Sequence, residues 1–154
     1  MTTTTNTQLT KASVTAITGA NMNALANAAY AMGPTIDNRP TVGSVSADDL
    51  GYLEIVLASA VTPAAGAPNI TVYVIPAPDG TNFPSPPGTT AGAAPVYFAQ
   101  SFPMVASVSS SRFVCPNLIL PPFIFEIMIQ QNLGVAFPAT GNTALLYRAT
   151  TGSF

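Results

Sequence analysis

The chain has 154 residues, a formal net charge of −2 and only 6% charged side chains, whereas charged residues make up roughly a quarter of an average soluble domain. Its four Lys and Arg residues are not clustered, which excludes the basic patch that nucleic-acid binding uses. Every long apolar run is broken, so no stretch of about 20 apolar residues predicts a spanning helix. We therefore expect a single domain that binds neither nucleic acid nor membrane.

The sequence offers little of the chemistry that enzymes use. It contains no histidine and a single cysteine, so the commonest general base and metal ligand is absent and no internal disulfide can form. Cys115 lies in an apolar, strand-like run, which favours a small buried hydrophobe over a nucleophile. The acidic pair Asp48-Asp49 lacks the ligand spacing of a calcium loop, and a turn explains it better. We expect no enzyme activity, no catalytic residue, no metal and no cofactor.

The N-terminus predicts an arm, extended or disordered, over residues 1–19, ahead of a single β-sandwich domain over residues 20–154. Met1 to Thr10 is rich in Thr, Asn and Gln, and its apolar residue Leu9 could order on a neighbouring molecule. The arm lacks the basic and apolar regions of a secretory signal. The sequence therefore predicts a product made in a cytoplasm.

One helix is predicted, over residues 21–32. Apolar residues recur there at helical spacing: Met22, Leu25, Ala29 and Met32. Asn21 can cap the start, and Gly33-Pro34 is a typical end. The opposite side carries Tyr30 with two asparagines. The segment is rich in small residues, so it could lie against a sheet or against a second copy of itself.

Beyond residue 36 the apolar period changes to two, which is typical of strands. The predicted strands are 51–60, 69–75, 96–98, 102–108, 113–119, 123–131 and 143–150. Turn signals separate them every 8–12 residues or so, and no alternation of strands with helices is present. This pattern predicts an all-β protein, an antiparallel β-sandwich that is jelly-roll-like, with the one short N-terminal helix.

A Pro-rich segment between Pro76 and Pro95 has no apolar periodicity and predicts a long loop. Loops of this length in compact domains are often binding loops. At its start, Asp79-Gly80 predicts a tight turn. Asp79 and Asn82 could line a cation site with Thr81, but a self-hydrogen-bonded turn is the better interpretation.

The strand over 123–131 is the most strongly predicted element. One face is expected to be core: Phe123, Phe125, Ile127, Ile129 and Gln131. The other face carries Ile124, Glu126, Met128 and Gln130, and is either a thinly covered solvent face or a surface that meets another protein. Because ions in sheets commonly pair across strands, we expect Glu126 to face Arg112 or Arg148.

Several segments together carry a resemblance to a known group of proteins. They are Asn23–Ala29, Ile36-Asp37-Asn38, Tyr52–Ser59, Val72–Pro76 with Asp79–Phe83, Leu120–Phe125, Gln131–Ala136 and Gly141-Asn142-Thr143. In this order they resemble small virion structural proteins of tailed bacteriophages, of the kind that decorate or cement the capsid shell. The resemblance covers about residues 20–150, and its motifs are turns and strand edges.

The resemblance implies a non-enzymatic protein on the capsid surface, made in the host bacterial cytoplasm. Its implied partners are the major capsid protein and copies of itself in a homo-oligomer. A tail-associated or spike module that recognises a host-surface carbohydrate stays open as the alternative. The arm and the helix are candidates to lie on the shell, and loop 76–95 to contact a neighbour or to be exposed. The candidate interaction residues are Leu9, Met22, Leu25, Tyr30, Asp79, Asn82, Phe83, Ile124 and Met128.

Overall fold

A computed structural model describes residues 12–17, 22–40, 49–64, 66–83 and 99–149. These residues form β-strands in antiparallel sheets, with almost no helix. The strands are β1 (Ala12–Ile17), β2 (Tyr30–Met32), β3 (Ile36–Asp37), β4 (Leu50–Val61), β5 (Asn69–Ala77), β6 (Ala99–Pro103), β7 (Ser110–Ile119), β8 (Ile124–Asn132) and β9 (Thr143–Ala149). The predicted all-β character is therefore confirmed.

Two sheets share one core in a β-sandwich-like arrangement. The first sheet has the order β1-β9-β4-β7, and the second has the order β2-β8-β5-β6, with β3 also paired to β8. The main apolar cluster includes buried residues of both sheets, such as Leu53 and Ile55 from β4 and Phe125 and Ile127 from β8. The period-two pattern thus buries one face of each sheet against the other.

The central strands of the second sheet are buried on both faces. Behind the main core, Tyr73, Ile75 and Met128 form a second buried cluster, against which Tyr30, Met32 and Phe83 pack. Met128 was expected on an open or partner-contacting face, but none of its surface is exposed within this chain. Covering both faces explains why β5 and β8 are almost continuously apolar.

The predicted core face of residues 123–131 is correct except at its first residue. Phe125, Ile127, Ile129 and Gln131 are fully buried, whereas Phe123 is 39% exposed. The reason is that β8 begins at Ile124. Phe123 belongs to the short link that carries the chain from the first sheet to the second, and so it lies outside the pleat.

The predicted strand 102–108 is wrong beyond Pro103, where β6 ends. Residues 104–109 form a loop, because the Met104 and Ser107 amides donate hydrogen bonds to the carbonyls of Pro68 and Pro63 rather than to a strand. Ser107 also has a φ of 63°, in the left-handed region. The predicted strand 96–98 lies outside the described residues.

The helix predicted over 21–32 is not present in residues 22–32. Ala24 and Ala28 have φ values of 52° and 62°, which a right-handed helix cannot contain. The Ala24 amide donates to Pro138 O at 2.8 Å, and the Ala28 amide donates to Gln131 O at 2.7 Å. Residues 30–32 are strand β2. Hydrogen bonds to distant loops therefore determine the conformation of this segment, although its apolar residues have helical spacing, because the segment is too short to form a stable helix alone. The predicted cap Asn21 lies outside the described residues.

Part of the predicted N-terminal arm belongs to the first sheet. Strand β1 pairs antiparallel with β9, with Ala12 opposite Arg148 and Ile17 opposite Ala144. Residues 1–11, including the candidate Leu9, lie outside the described residues. Residues 12–17 thus form an edge strand of the first sheet.

Two buried amide side chains replace regular backbone pairing where loops meet. Gln131, with no exposed surface, donates from Nε2 to the carbonyls of Leu25 and Val135, each at 3.0 Å, and its Oε1 accepts from the Leu133 amide at 3.0 Å. Asn142, 1% exposed, is bonded in the same way, and its contacts are described below. Buried backbone groups need such partners, because an unpaired one is costly.

Replacing Gln131 by Leu should therefore destabilise the fold strongly. The variant keeps a similar side-chain volume but removes the partner of three backbone groups, two of them buried and one partly buried, so we expect the free energy of unfolding to fall by about 3 kcal/mol or more. Urea unfolding followed by circular dichroism measures this loss. The matched control is Gln100→Leu on edge strand β6, where the residue is only half-buried; a loss below about 1 kcal/mol for Gln131→Leu would contradict the assigned role.

Candidate interaction surfaces

Five of the described loop segments meet at one end of the sandwich, which we call the loop end: residues 22–29, 62–64, 66–68, 104–109 and 133–142. Backbone hydrogen bonds join these loops to one another. The Ala24 amide donates to Pro138 O at 2.8 Å, the Ala64 amide to Leu133 O at 2.8 Å, and the Ser107 amide to Pro63 O at 3.0 Å. The loop end is therefore one continuous, internally bonded surface.

Asparagine side chains add to this bonding. Asn142 donates from Nδ2 to the carbonyls of Met22 and Pro138, at 3.1 and 2.7 Å, and its Oδ1 accepts from the Ala58 amide. Asn27 Oδ1 accepts from the Gly134 amide at 2.8 Å. At Gly134, with a φ of 76°, an added Cβ would lie 2.4 Å from the Cβ of a residue in the neighbouring loop. Only glycine fits that approach.

The loop end carries no charged residue in any of its segments. Its exposed positions are mostly Ala, Val, Gly, Ser and Thr. The most exposed apolar side chains are Val105, at 70%, and Val108, at 54%. Small side chains lose little conformational entropy on contact, and no charge has to be desolvated. Chemically, the loop end can bind a weakly charged protein surface at low cost.

The opposite end of the sandwich, which we call the charged end, holds most of the described charged residues. They are Asp37, Arg39, Asp49, Asp79 and Arg148. Asp37 and Arg39 form an exposed ion pair at 2.7 Å, and Arg148 Nη1 donates to Asp37 O and Asn38 Oδ1 at 3.4 and 3.3 Å. Asn38 Nδ2 donates in turn to Pro121 O at 2.8 Å. These contacts tie β9 of the first sheet to β3 of the second.

Asp79 opens a tight turn, as the sequence predicts. Its Oδ1 accepts from the amides of Thr81 and Asn82 at 3.0 and 2.8 Å, and its Oδ2 accepts from Asn82 Nδ2 at 2.7 Å. These bonds, the Asn82 amide first, lower the pKa of Asp79 from 3.8 to about 2. The interpretation as a self-hydrogen-bonded turn is confirmed. Among the described residues, no group of three or more His, Cys, Asp or Glu side chains could hold a metal ion.

The outer face of the first sheet holds a second group of polar side chains. Glu54 on β4 accepts from Arg112 Nε and, at 3.0 Å, from Tyr147 OH. The bond from Arg112, with that from Tyr147, holds the pKa of Glu54 below its ordinary value. Glu126 lies in the other sheet and accepts from Thr35 Oγ1 at 3.0 Å. The predicted pairing of Glu126 with Arg112 or Arg148 is therefore wrong: Arg112 pairs with Glu54, and Arg148 donates to Asp37 O and Asn38 Oδ1.

The candidate interaction residues separate into three groups. Met22, Leu25 and Met128 are buried core residues, so their apolar pattern reports packing rather than a contact surface. Tyr30 and Phe83 are half-buried and pack beside Met128. Asp79 and Asn82 are exposed at the charged end, near the half-buried Ile124. The exposed Val105 and Val108 were missed, because their segment was interpreted as a strand. The sequence shows that these loops carry no charge, but only the strand order shows that they meet at one end of the sandwich.

The cysteine is placed as the sequence predicts. Cys115 is fully buried in the main core. Burial raises the pKa of its thiol to about 12, so the reactive thiolate is strongly disfavoured.

In comparisons with known proteins, no family model, no curated protein and no solved structure matches the chain. Among the residues that the structure describes, no helix is long and apolar enough to cross a membrane.

Acid should destabilise the fold through the carboxyl groups of the charged end. The pKa of Asp79 and that of Asp37, which is held by Arg39, are each lowered from 3.8 to about 2. A folded-state pKa below the unfolded one contributes stability above about pH 4 that is lost as the pH falls toward about 2. Urea unfolding between these pH values should show the decline.

The variant Asp79→Asn assigns part of this decline to the turn. The amide keeps an acceptor oxygen for the turn but cannot titrate, so stability in the variant should depend less on pH over the same range. Parallel curves for the variant and the wild type would contradict the role given to the Asp79 carboxylate.

Proposed function

We propose that the chain is a non-enzymatic virion structural protein that decorates or cements the capsid shell of a tailed bacteriophage. In this proposal it is made in the host bacterial cytoplasm and binds adjacent subunits of the major capsid protein, as well as copies of itself. The observation that carries the proposal is the loop end: a pre-formed, uncharged surface opposite an end that concentrates charge. The resemblance of residues 20–150 to such virion proteins gives the class of partner.

The strand pairing supports a finer description of the fold as a jelly roll. Pairs are nested along the chain: β1 with β9, β2 with β8, β4 with β7, and β5 with β6. Nested pairs of this kind, distributed over a four-stranded and a five-stranded sheet, are what a folded-over ribbon of two Greek keys produces. In this fold the loops between strands collect at the two ends, and a loop end as a binding surface follows the usual use of such scaffolds.

The polarity of the sandwich gives the protein an orientation on the shell. An uncharged end of small side chains can pack closely on capsid subunits without burying an unpaired charge. The charged end then faces solvent, where its ion pair and hydrogen-bonded carboxylates stay hydrated. Binding that spans neighbouring subunits stabilises the assembled state over the dissociated one by mass action, which is all that a cement protein requires.

Copy number tests where on a particle the chain is located. Quantitative mass spectrometry of purified particles should find this chain in numbers on the order of hundreds, as the repeated symmetry of a shell demands. A handful of copies per particle would contradict the shell location and favour the alternative, a tail module.

Substitutions in the loop end test the contact itself. The double variant Val105→Asp, Val108→Asp changes two exposed side chains, so the fold should survive while attachment to shells weakens by about tenfold or more, since a carboxylate buried without a partner is costly. Co-sedimentation with shells that lack this chain measures attachment.

The matched control places the same two charges at the opposite end. Pro40 and Pro122 are exposed beside the charged residues there, and Pro40→Asp, Pro122→Asp should bind shells as the wild type does. Equal loss in both double variants would indicate a general effect of net charge. Retained binding of the loop-end variant would exclude that end as the contact.

A further inference from the structure

The outer face of the first sheet is apolar and partly open to solvent. Three large side chains are strongly exposed on it: Tyr52 at 42%, Val114 at 44% and Ile119 at 55%. Half-buried Val56 on β4 and Leu145 on β9 extend this apolar face. Exposed apolar patches of this kind mark surfaces that a partner covers.

The carboxylate on this face is already hydrogen-bonded within the chain. Glu54 lies at the centre, with Val114 and Leu145 as its cross-strand neighbours. Its carboxylate accepts from both Arg112 and Tyr147, and its side chain is only 12% exposed. A partner can therefore cover Glu54 without leaving an unpaired carboxylate, which removes the main penalty for burying charge at an interface.

The Arg112 side chain is different, since 67% of it is exposed. Its Nε donates to Glu54, which leaves the N–H groups of the two outer guanidinium nitrogens as donors for a partner. The face thus presents an available cation next to a carboxylate and a phenol oxygen. Among its described side chains it carries one charge of each sign.

We propose that this face is an interface between two copies of the chain, packed sheet on sheet across a twofold axis. A twofold contact joins a surface to itself, so it requires a surface that is self-complementary. A face of one sign would repel its copy, whereas this one offers each Arg112 guanidinium the Glu54 carboxylate and the Tyr147 hydroxyl oxygen of the second copy. Apolar side chains around the ion pair supply the packing.

The dimensions of the face agree with a dimer contact. The four strands of the first sheet give a width of about 19 Å at about 4.8 Å per strand, and the 10 residues of β7 give a length of about 34 Å. The flat area is then about 600 Å², and side-chain relief raises the accessible area toward the roughly 800 Å² per partner of a stable interface. This inference rests on the part of the proposed function that includes self-association, and it leaves the loop end free for the shell.

Concentration-dependent protection of one thiol tests the interface directly. In Tyr52→Cys the new thiol lies on the proposed interface, and in the control Val105→Cys it lies on the loop end; the native Cys115 is buried in both. Alkylation of Tyr52→Cys should slow by about tenfold or more when excess wild-type protein raises the concentration from about 1 μM to about 500 μM, whereas Val105→Cys should react at one rate throughout. Unchanged labelling of Tyr52→Cys overturns the proposal.

A charge reversal provides the second test. Arg112→Glu places two carboxylates side by side on the face, so sedimentation velocity should give a dimer dissociation constant at least about tenfold weaker than that of the wild type. Arg39→Glu reverses an arginine at the charged end that is also exposed and ion-paired, and this variant should dimerise normally, with circular dichroism confirming both folds. A wild type that sediments as a monomer at every concentration, or an Arg112→Glu variant that dimerises like the wild type, overturns the proposal. Shell attachment is measured separately on the loop-end variants, so either proposal can fail alone.

Discussion

The buried amides of Gln131 and Asn142 are the constraint on which the rest of the structure depends. The loops at this end contain few regular strand pairs, yet their backbone groups lie away from water and need partners. Each amide offers donors and an acceptor from one rigid group, and the two side chains bond to carbonyls and amides of different loops. A loop end built from alanine, glycine and valine can therefore hold one conformation without charges or disulfides.

This rigidity connects the fold to the proposed function. A flexible loop surface would lose conformational entropy on binding, whereas a pre-formed surface of small side chains has little left to lose. The same small residues make the individual contacts weak, so affinity has to come from area and shape. A protein repeated many times on a symmetric shell meets that requirement, because each contact can be modest while the assembled lattice gains from all of them.

The sequence was sufficient for the long strands and insufficient for the short strands β2 and β3 and for the loops. Period-two alternation predicted β4 and the inward face of β8, because burial of one sheet face imposes that period directly. The segment around Met22 and Leu25 failed, since its apolar residues do face the core at helical spacing but the backbone between them turns through left-handed Ala24 and Ala28. Nothing local favours alanine there. The determining bonds go to Pro138 and Gln131, more than 100 residues away in sequence.

The same distinction explains the candidate surfaces. Met128 was expected on an open face because the alternation of apolar and polar residues predicts which side of a strand a residue is on. This alternation does not predict whether that side is covered by other residues. The central position of β8 in the second sheet decides the matter, and it depends on strand order. Conversely, Glu54 and Arg112 were assigned to strands correctly, but their pairing follows from β4 and β7 being neighbours, which no short-range pattern encodes.

The two surfaces proposed for binding are compatible because of where the sandwich puts them. The loop end closes the strands at one end, whereas the outer face of the first sheet runs along their length, so a partner on one surface leaves the other accessible. Charge follows the same division: the ion pair of Glu54 and Arg112 is at the centre of an apolar face, and the loop end has none. A chain with so few charged side chains cannot rely on charge repulsion to keep its surfaces apart. In the two proposals, partners cover both broad surfaces, and this covering would account for a composition that otherwise favours aggregation.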